Sequence, residues 1–163
     1  MRIGIVVDSA CDVPSDFIGQ EEITILPVTV QIGNAVEEKR VLDAVLACRD
    51  AGLIRALTDC GAGGFSSAIG EMGSGLGVEV DLERAPLKYT GLAPWEVFLS
   101  ESQERMLAIV EPENLDAVLA ITDAWEVRAS AIGTVTDTGL LRVFDEEGGE
   151  VLAEVPATTL HED

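Results

Sequence analysis

Leu53–Met72 reads LIRALTDCGAGGFSSAIGEM, and the fold turns on how this stretch is divided. Leu53 to Thr58 is short, apolar and followed by turn residues, the pattern of a strand. Asp59-Cys60-Gly61-Ala62-Gly63-Gly64 then sets three glycines in four positions, a turn open to backbone conformations that other residues avoid. Phe65 to Met72 continues as a helix directly from that turn. Such a turn lets the backbone approach a ligand closely, and the helix behind it offers N–H groups and positive dipole to an anion. Asp59, at the strand end, is a carboxylate placed to hold Mg²⁺ against a phosphate. The same glycines also suit a plain strand-to-helix reversal, and their spacing does not separate the two readings.

Working outward, Glu37 to Ala51 is an amphipathic helix with Val41, Leu42, Val45 and Leu46 on its apolar face. Gly52 ends it as a C-cap residue. Ile23 to Val30, ITILPVTV, is a strand in which Pro27 calls for an edge position or a bulge. Arg2 to Val7 is a further strand, and Asp12 with Pro14 starts a short helix, so the N-terminus is a βαβ unit. Downstream, Gly77 to Leu82 is a strand and PWEVFLS, opened by Pro94, is a short helix. Arg105 to Val110 is a strand, and Pro112 starts a helix that runs to about Trp125. Arg128 to Val135, Leu140 to Phe144 and Val151 to Val155 are the closing strands. The turns Asp137-Thr138-Gly139 and Glu147-Gly148-Gly149 make the last two connections read as hairpins. The order predicts an α+β fold, a mixed sheet with packed helices plus the N-terminal βαβ unit.

The 163 residues are 47% apolar with mean hydropathy +0.27, enough for one cored domain. Thirty acidic residues against ten basic ones give a net charge of −20, which argues against nucleic acid and anionic membranes as partners. Three widely spaced cysteines, Cys11, Cys48 and Cys60, make neither a disulfide framework nor a zinc site. No signal-peptide pattern or membrane span is present, so a cytoplasmic protein is expected. His161, the single histidine, lies in the tail, which disfavours histidine-based acid–base chemistry. Cys60, near a helix N-terminus, is either a reactive thiol or, more in keeping with its setting, a buried packing thiol. The polar run Ser100 to Arg105 offers contacts for a ribose or an amide, or is a solvated loop.

The segments TDCGAGG, APWE and LSESQERM, in that order within residues 30–160, resemble the PurL-type large subunit of phosphoribosylformylglycinamidine synthase. The stretch resembles the C-terminal lobe of that enzyme's first aminoimidazole-ribonucleotide-synthetase-like half, an α+β domain. The resemblance implies ATP-dependent conversion of formylglycinamide ribonucleotide to formylglycinamidine ribonucleotide, in purine biosynthesis, with ammonia from glutamine. It implies substrate contacts at Gln31, Gly61, Ala62, Gly63, Gly64, Glu101, Ser102 and Gln103, and Mg²⁺ on Asp59. It implies no catalytic residue here, because the family's catalytic histidine and main ATP site belong to a lobe outside this stretch. The chain is then expected to bind a phosphorylated ribonucleotide at most, and not to turn over alone.

Residues 1–33, through IVVDSACDVP and ILPVTVQIG, instead resemble the opening strand–helix–strand of the DegV family of fatty-acid-binding proteins. The two resemblances meet at VQIG and read as a fusion of residues 1–33 with a domain of residues 34–163, expected to form one compact unit. Two alternatives follow: a recombined or engineered fold with relic ligand residues, or a DegV-like lipid-binding module. Ile23 to Val30 must then add to the main sheet or mediate self-association.

Overall fold

The computed structural model describes residues 23–29, 35–87, 90–101, 105–146 and 148–160. The expected strand at Arg2 to Val7, the helix at Asp12 and Pro14, and the residues Cys11, Gln31, Ser102, Gln103 and His161 lie outside them.

Among the described residues eight strands form one sheet: β1 (Ile23–Thr29), β2 (Ile54–Asp59), β3 (Val78–Asp81), β4 (Met106–Val110), β5 (Arg128–Ala129), β6 (Gly133–Val135), β7 (Leu140–Phe144) and β8 (Val151–Pro156). Four α-helices accompany it among the described residues: α1 (Ala35–Asp50), α2 (Gly64–Gly73), α3 (Pro94–Leu99) and α4 (Leu115–Ala124). The strand order is β2-β4-β1-β6-β3-β7-β8, with β5 paired to β1. All neighbours are antiparallel except β3 and β7, which are parallel, so the sheet is mixed as predicted. None of the described helices is long and apolar enough to cross a membrane.

β4 shows why the sheet is covered on both faces. Its run MLAIV has no polar alternation, the pattern of a strand buried on both sides. Leu107 and Ile109 join one core with Phe65, Ala68, Ile69 and Met72 of α2 and Val97 of α3. Ala108 and Val110 join a second core with α1 and Val118 of α4. The buried stripe of α1 is Val41, Ala44, Val45 and Cys48, at i, i+3, i+4 and i+7. This corrects the expected face: Leu42 is 53% exposed, because the stripe is centred on the small residues that fit against Ala108.

Three further expectations change. Pro27 is not on an edge, since β1 lies between β4 and β6. The bulge alternative describes it: Val28 faces Ala129 and Ile25 faces Gly133, so residues 130–132 oppose only Leu26 and Pro27. That bulge also divides the expected strand Arg128 to Val135 into β5 and β6. With both flanks paired, β1 adds to the main sheet and offers no edge for self-association. Finally, β6 and β7 are not a hairpin, because β3 lies between them. Their connecting turn passes over Gly77, whose carbonyl accepts the Thr136 N–H at 2.8 Å. A Cβ at Gly77 would strike the Thr136 and Thr138 hydroxyls at 2.5 Å, so only glycine lets the turn cross. The β7–β8 hairpin is present.

Candidate functional site

Register brings the site together. Asp59, the last residue of β2, faces Met106, the first of β4. Val28, near the end of β1, faces the same Met106 from the other side. The chain therefore leaves β1 and β2, and enters β4, at one end of the sheet. Asp59 to Gly64 meet Glu101 and Arg105 there. β1 leaves toward the same end, ahead of Gln31.

The loop between β2 and α2 is shaped by its glycines. Gly63 and Gly64 have φ of 80° and 60°, in the left-handed region that L side chains avoid. A Cβ on Gly64 would also lie 2.9 Å from the Ser100 carbonyl carbon and 3.0 Å from that of Leu99. The loop thus needs glycine twice at this point, for its turn and for its contact with the end of α3. Pro94 sets the first turn of α3, and Glu96 accepts the Ala93 N–H at 2.7 Å to cap it.

Asp59, Gly61 and Ala62 are exposed, so the loop is open to solvent. Its amides are partly engaged. The Gly61 N–H donates to Asp59 Oδ1 at 2.8 Å, and the Gly63 N–H donates to Glu101 Oε1 at 3.2 Å. The Gly64 N–H donates to the Gly61 carbonyl at 3.0 Å. The Asp59 contact is a local turn within the loop, and Glu101 is the carboxylate that reaches a loop amide from a distant segment. Glu101 comes from 38 residues away and is exposed, so at Gly63 an incoming anion has only that long bond to displace, while the Gly61 and Gly64 amides are engaged within the loop itself.

The loop's electrostatics disfavour a bare phosphate beside Asp59 and Glu101 and favour one that shares a cation. Among the described residues no group of three or more His, Cys, Asp or Glu side chains surrounds a metal position. Asp59 could supply one ligand to Mg²⁺, with phosphate and water completing the shell, the usual habit of that ion. The residues fit a shared Mg²⁺–phosphate site and do not form a closed protein cage.

Sequence reading placed Arg105 in a polar run and Phe65 at a helix start, and missed that the two stack on each other in the interior. Arg105 is 3% exposed, and its guanidinium lies 4.2 Å from the centre of the buried Phe65 ring. Its carbonyl accepts the Cys60 N–H at 2.8 Å. A lone arginine at the end of a polar run reads as solvated, and its only signal was the wholly apolar strand that follows. Cys60 is a packing thiol: burial, against the opposing pull of Arg105, pushes it up to about 12. A separate groove of about 760 Å³, lined by Arg84, Thr122, Glu126 and Arg128 among others, shares no residue with the loop.

The fold and this loop define a member of a known class. Residues 6–146 match the family described as AIR synthase related protein, C-terminal domain, and the chain belongs to it. It is 48% identical over 133 residues to phosphoribosylformylglycinamidine synthase subunit PurL of Thermomicrobium roseum, covering 80% of this chain and 18% of that protein. T. maritima PurL complexed with ATP superposes with a TM-score of 0.81 at 28% identity, covering 98% of this chain and 28% of that one. T. maritima PurL complexed with FGAR superposes with a TM-score of 0.79 at 25% identity, covering 97% and 30%. The chain is thus a PurL homologue that spans about a fifth of the length of the curated relatives it matches. The family match crosses residue 33, and these matches give no support to a junction there or to a DegV origin for the first thirty residues.

Proposed function

We propose that this chain is a substrate-holding lobe of the phosphoribosylformylglycinamidine synthase type, which binds a phosphorylated ribonucleotide together with Mg²⁺. The observation that carries this reading is the meeting of Asp59, Gly61 to Gly64 and Glu101 at one end of the sheet, with carboxylate oxygens seated on the loop amides. Within the turn Gly61 to Gly64, the Ala62 amide and the Gly63 amide released by Glu101 receive the phosphate, and Asp59 holds Mg²⁺. That ion, when bound, neutralises phosphate charge. Glu101, displaced from Gly63, turns to a ribose hydroxyl, and Gln31, Ser102 and Gln103 contribute further substrate contacts. The relatives support the substrate class, since T. maritima PurL has been solved with FGAR, with ATP and with ADP.

The chain is not catalytically complete in this reading. Its one histidine, His161, is distant in sequence from the loop, whose carboxylates this reading assigns to Mg²⁺ and the ribose. The nucleotide site and the remaining chemistry come from outside the described fold, as in a multi-component cytoplasmic enzyme. A PurLQS assembly is known from Thermotoga maritima.

Calorimetric titration with formylglycinamide ribonucleotide and Mg²⁺ tests the reading. The expected result is a binding heat that disappears in Asp59→Ala and in Gly64→Ala. A flat trace for the unsubstituted protein sinks it, and leaves the loop as a structural relic.

A further inference from the structure

The end of α4 is closed by a turn that a glycine would normally make. The Glu126 N–H donates to the Asp123 carbonyl and the Val127 N–H to the Thr122 carbonyl, both at 2.8 Å. These are the paired bonds of a helix reversed through a left-handed residue. That residue is Glu126, with φ of 57°, the one described non-glycine in this region. Its carboxylate holds Arg40 of α1 at 2.7 Å. The reversal brings β5 back against the last turn of α4, so that Asp123 and Arg128 line one open groove of about 760 Å³.

Both side chains are exposed, and neither has an ion-pair partner among the described residues, not even the other. Every other described lysine or arginine contacts a carboxylate or an aromatic ring. The remaining charged residues of the groove are engaged, Glu126 with Arg40 and Arg84 with Asp81. The groove therefore offers one open cation and one open carboxylate, set too far apart to pair. Leu119, Val127, Pro86 and Ala129 supply apolar lining. A plain anion would meet Asp123 and the negative end of α4, and a plain cation would meet Arg128. A molecule that carries both charges satisfies both walls.

We propose that this groove binds a free α-amino acid with an aliphatic side chain, its carboxylate on Arg128 and its ammonium on Asp123. The apolar lining receives the side chain, the usual division of labour in a small-molecule site. The site shares no residue with the glycine loop and does not depend on its role.

Amide-resolved NMR of the full chain, titrated with millimolar L-leucine, tests the site. Shifts are expected at Arg84 and at Val127 to Ser130, with Gly61 to Gly64 unmoved. Isocaproate lacks the ammonium and isoamylamine lacks the carboxylate, and each should bind at least about tenfold more weakly than leucine. Arg128→Gln should weaken leucine about tenfold and leave isoamylamine unchanged. Asp123→Asn should weaken leucine by about the same factor without weakening isocaproate. Asp116→Asn, in the first turn of α4 and outside the groove, should change nothing. If a groove variant does not fold, the two analogues on the unsubstituted protein decide alone. Absence of shifts with leucine, or shifts confined to the glycine loop, overturns the proposal. Isocaproate or isoamylamine binding as tightly as leucine overturns it too, because the groove would then take a plain anion or a plain cation.

Discussion

Cys60 and Arg105 answer burial in opposite senses, and the thiol's response can be measured. Loss of water raises the Cys60 thiol to about 12, with Arg105 lowering it and Asp59 raising it by smaller amounts. The same loss of water lowers Arg105. A thiol beside a cation and a helix N-terminus has two features of a reactive nucleophile, yet desolvation outweighs both. In the unfolded chain the thiol ionises near pH 9. Between about pH 9 and 12 the folded state keeps a proton that the unfolded state has lost, so stability falls as pH rises. The stabilisation is complete below pH 9, and its loss is at most about 1.4 kcal/mol per pH unit. Urea unfolding at pH 8.0, 9.5 and 10.5 should show the gap between the native sequence and Cys60→Ala narrowing as pH rises. Curves that stay parallel would mean that Cys60 ionises as freely folded as unfolded. A small disulfide reagent at pH 8 should likewise reach this thiol only through unfolding.

Among the elements, β4 carries the most and β8 the least. Leu107 and Ile109 face α2 while Ala108 and Val110 face α1 and α4, so one strand ties both cores together. Leu107 is fully buried, and Leu107→Ala should cost about 3 kcal/mol by urea unfolding, since a cavity remains between closely packed layers. Val151 on β8 is 45% exposed, and Val151→Ala should cost under about 1 kcal/mol. Equal losses at the two positions would contradict the layered arrangement. β4 was legible because five apolar residues in a row leave no solvent face. α1 was legible as a helix, but its inward face was not, because Leu42 outranks Ala44 in hydropathy while Ala44 is what fits against the sheet. The turn after β6 read as a hairpin because local turn chemistry cannot reveal a third strand lying between two others. The site divides in the same way. The glycine turn and Asp59 stood out from local chemistry, whereas Glu101 and the shared sheet end depend on the pairing of β2 and β1 with β4. That pairing is non-local, so only family resemblance pointed to it. Arg105 stood in the polar run and in the family segment, but nothing local says that its side chain turns inward.

At the scale of the whole molecule, charge sets the response to salt. The chain carries 20 more carboxylates than cations. Lys39, Arg40, Arg49, Arg55, Arg84 and Arg142 are each paired with at least one Asp or Glu in the fold. Salt weakens those pairs and also weakens the repulsion among the surplus carboxylates, so the two effects have opposite signs. The pairs are mostly exposed, and together they are worth about 2–3 kcal/mol at a typical 0.3 kcal/mol each. Two like charges ~17 Å apart repel by about 0.2 kcal/mol in unscreened water. Screening at 0.1 M cuts that to about 0.05 kcal/mol and at 1 M removes it. Twenty surplus charges form on the order of 190 such pairs, several kcal/mol in all before the expanded unfolded chain's smaller share is subtracted. Repulsion among the carboxylates therefore outweighs the attraction within the ion pairs. The melting temperature should rise by about 5 °C between 0.05 and 1 M NaCl, in line with a net gain of 1–2 kcal/mol for a chain of this length. The rise should be steepest below about 0.3 M, where the screening length changes most. A melting temperature that falls over this range would show that the ion pairs outweigh the surplus charge, and that the carboxylates are neutralised in some other way.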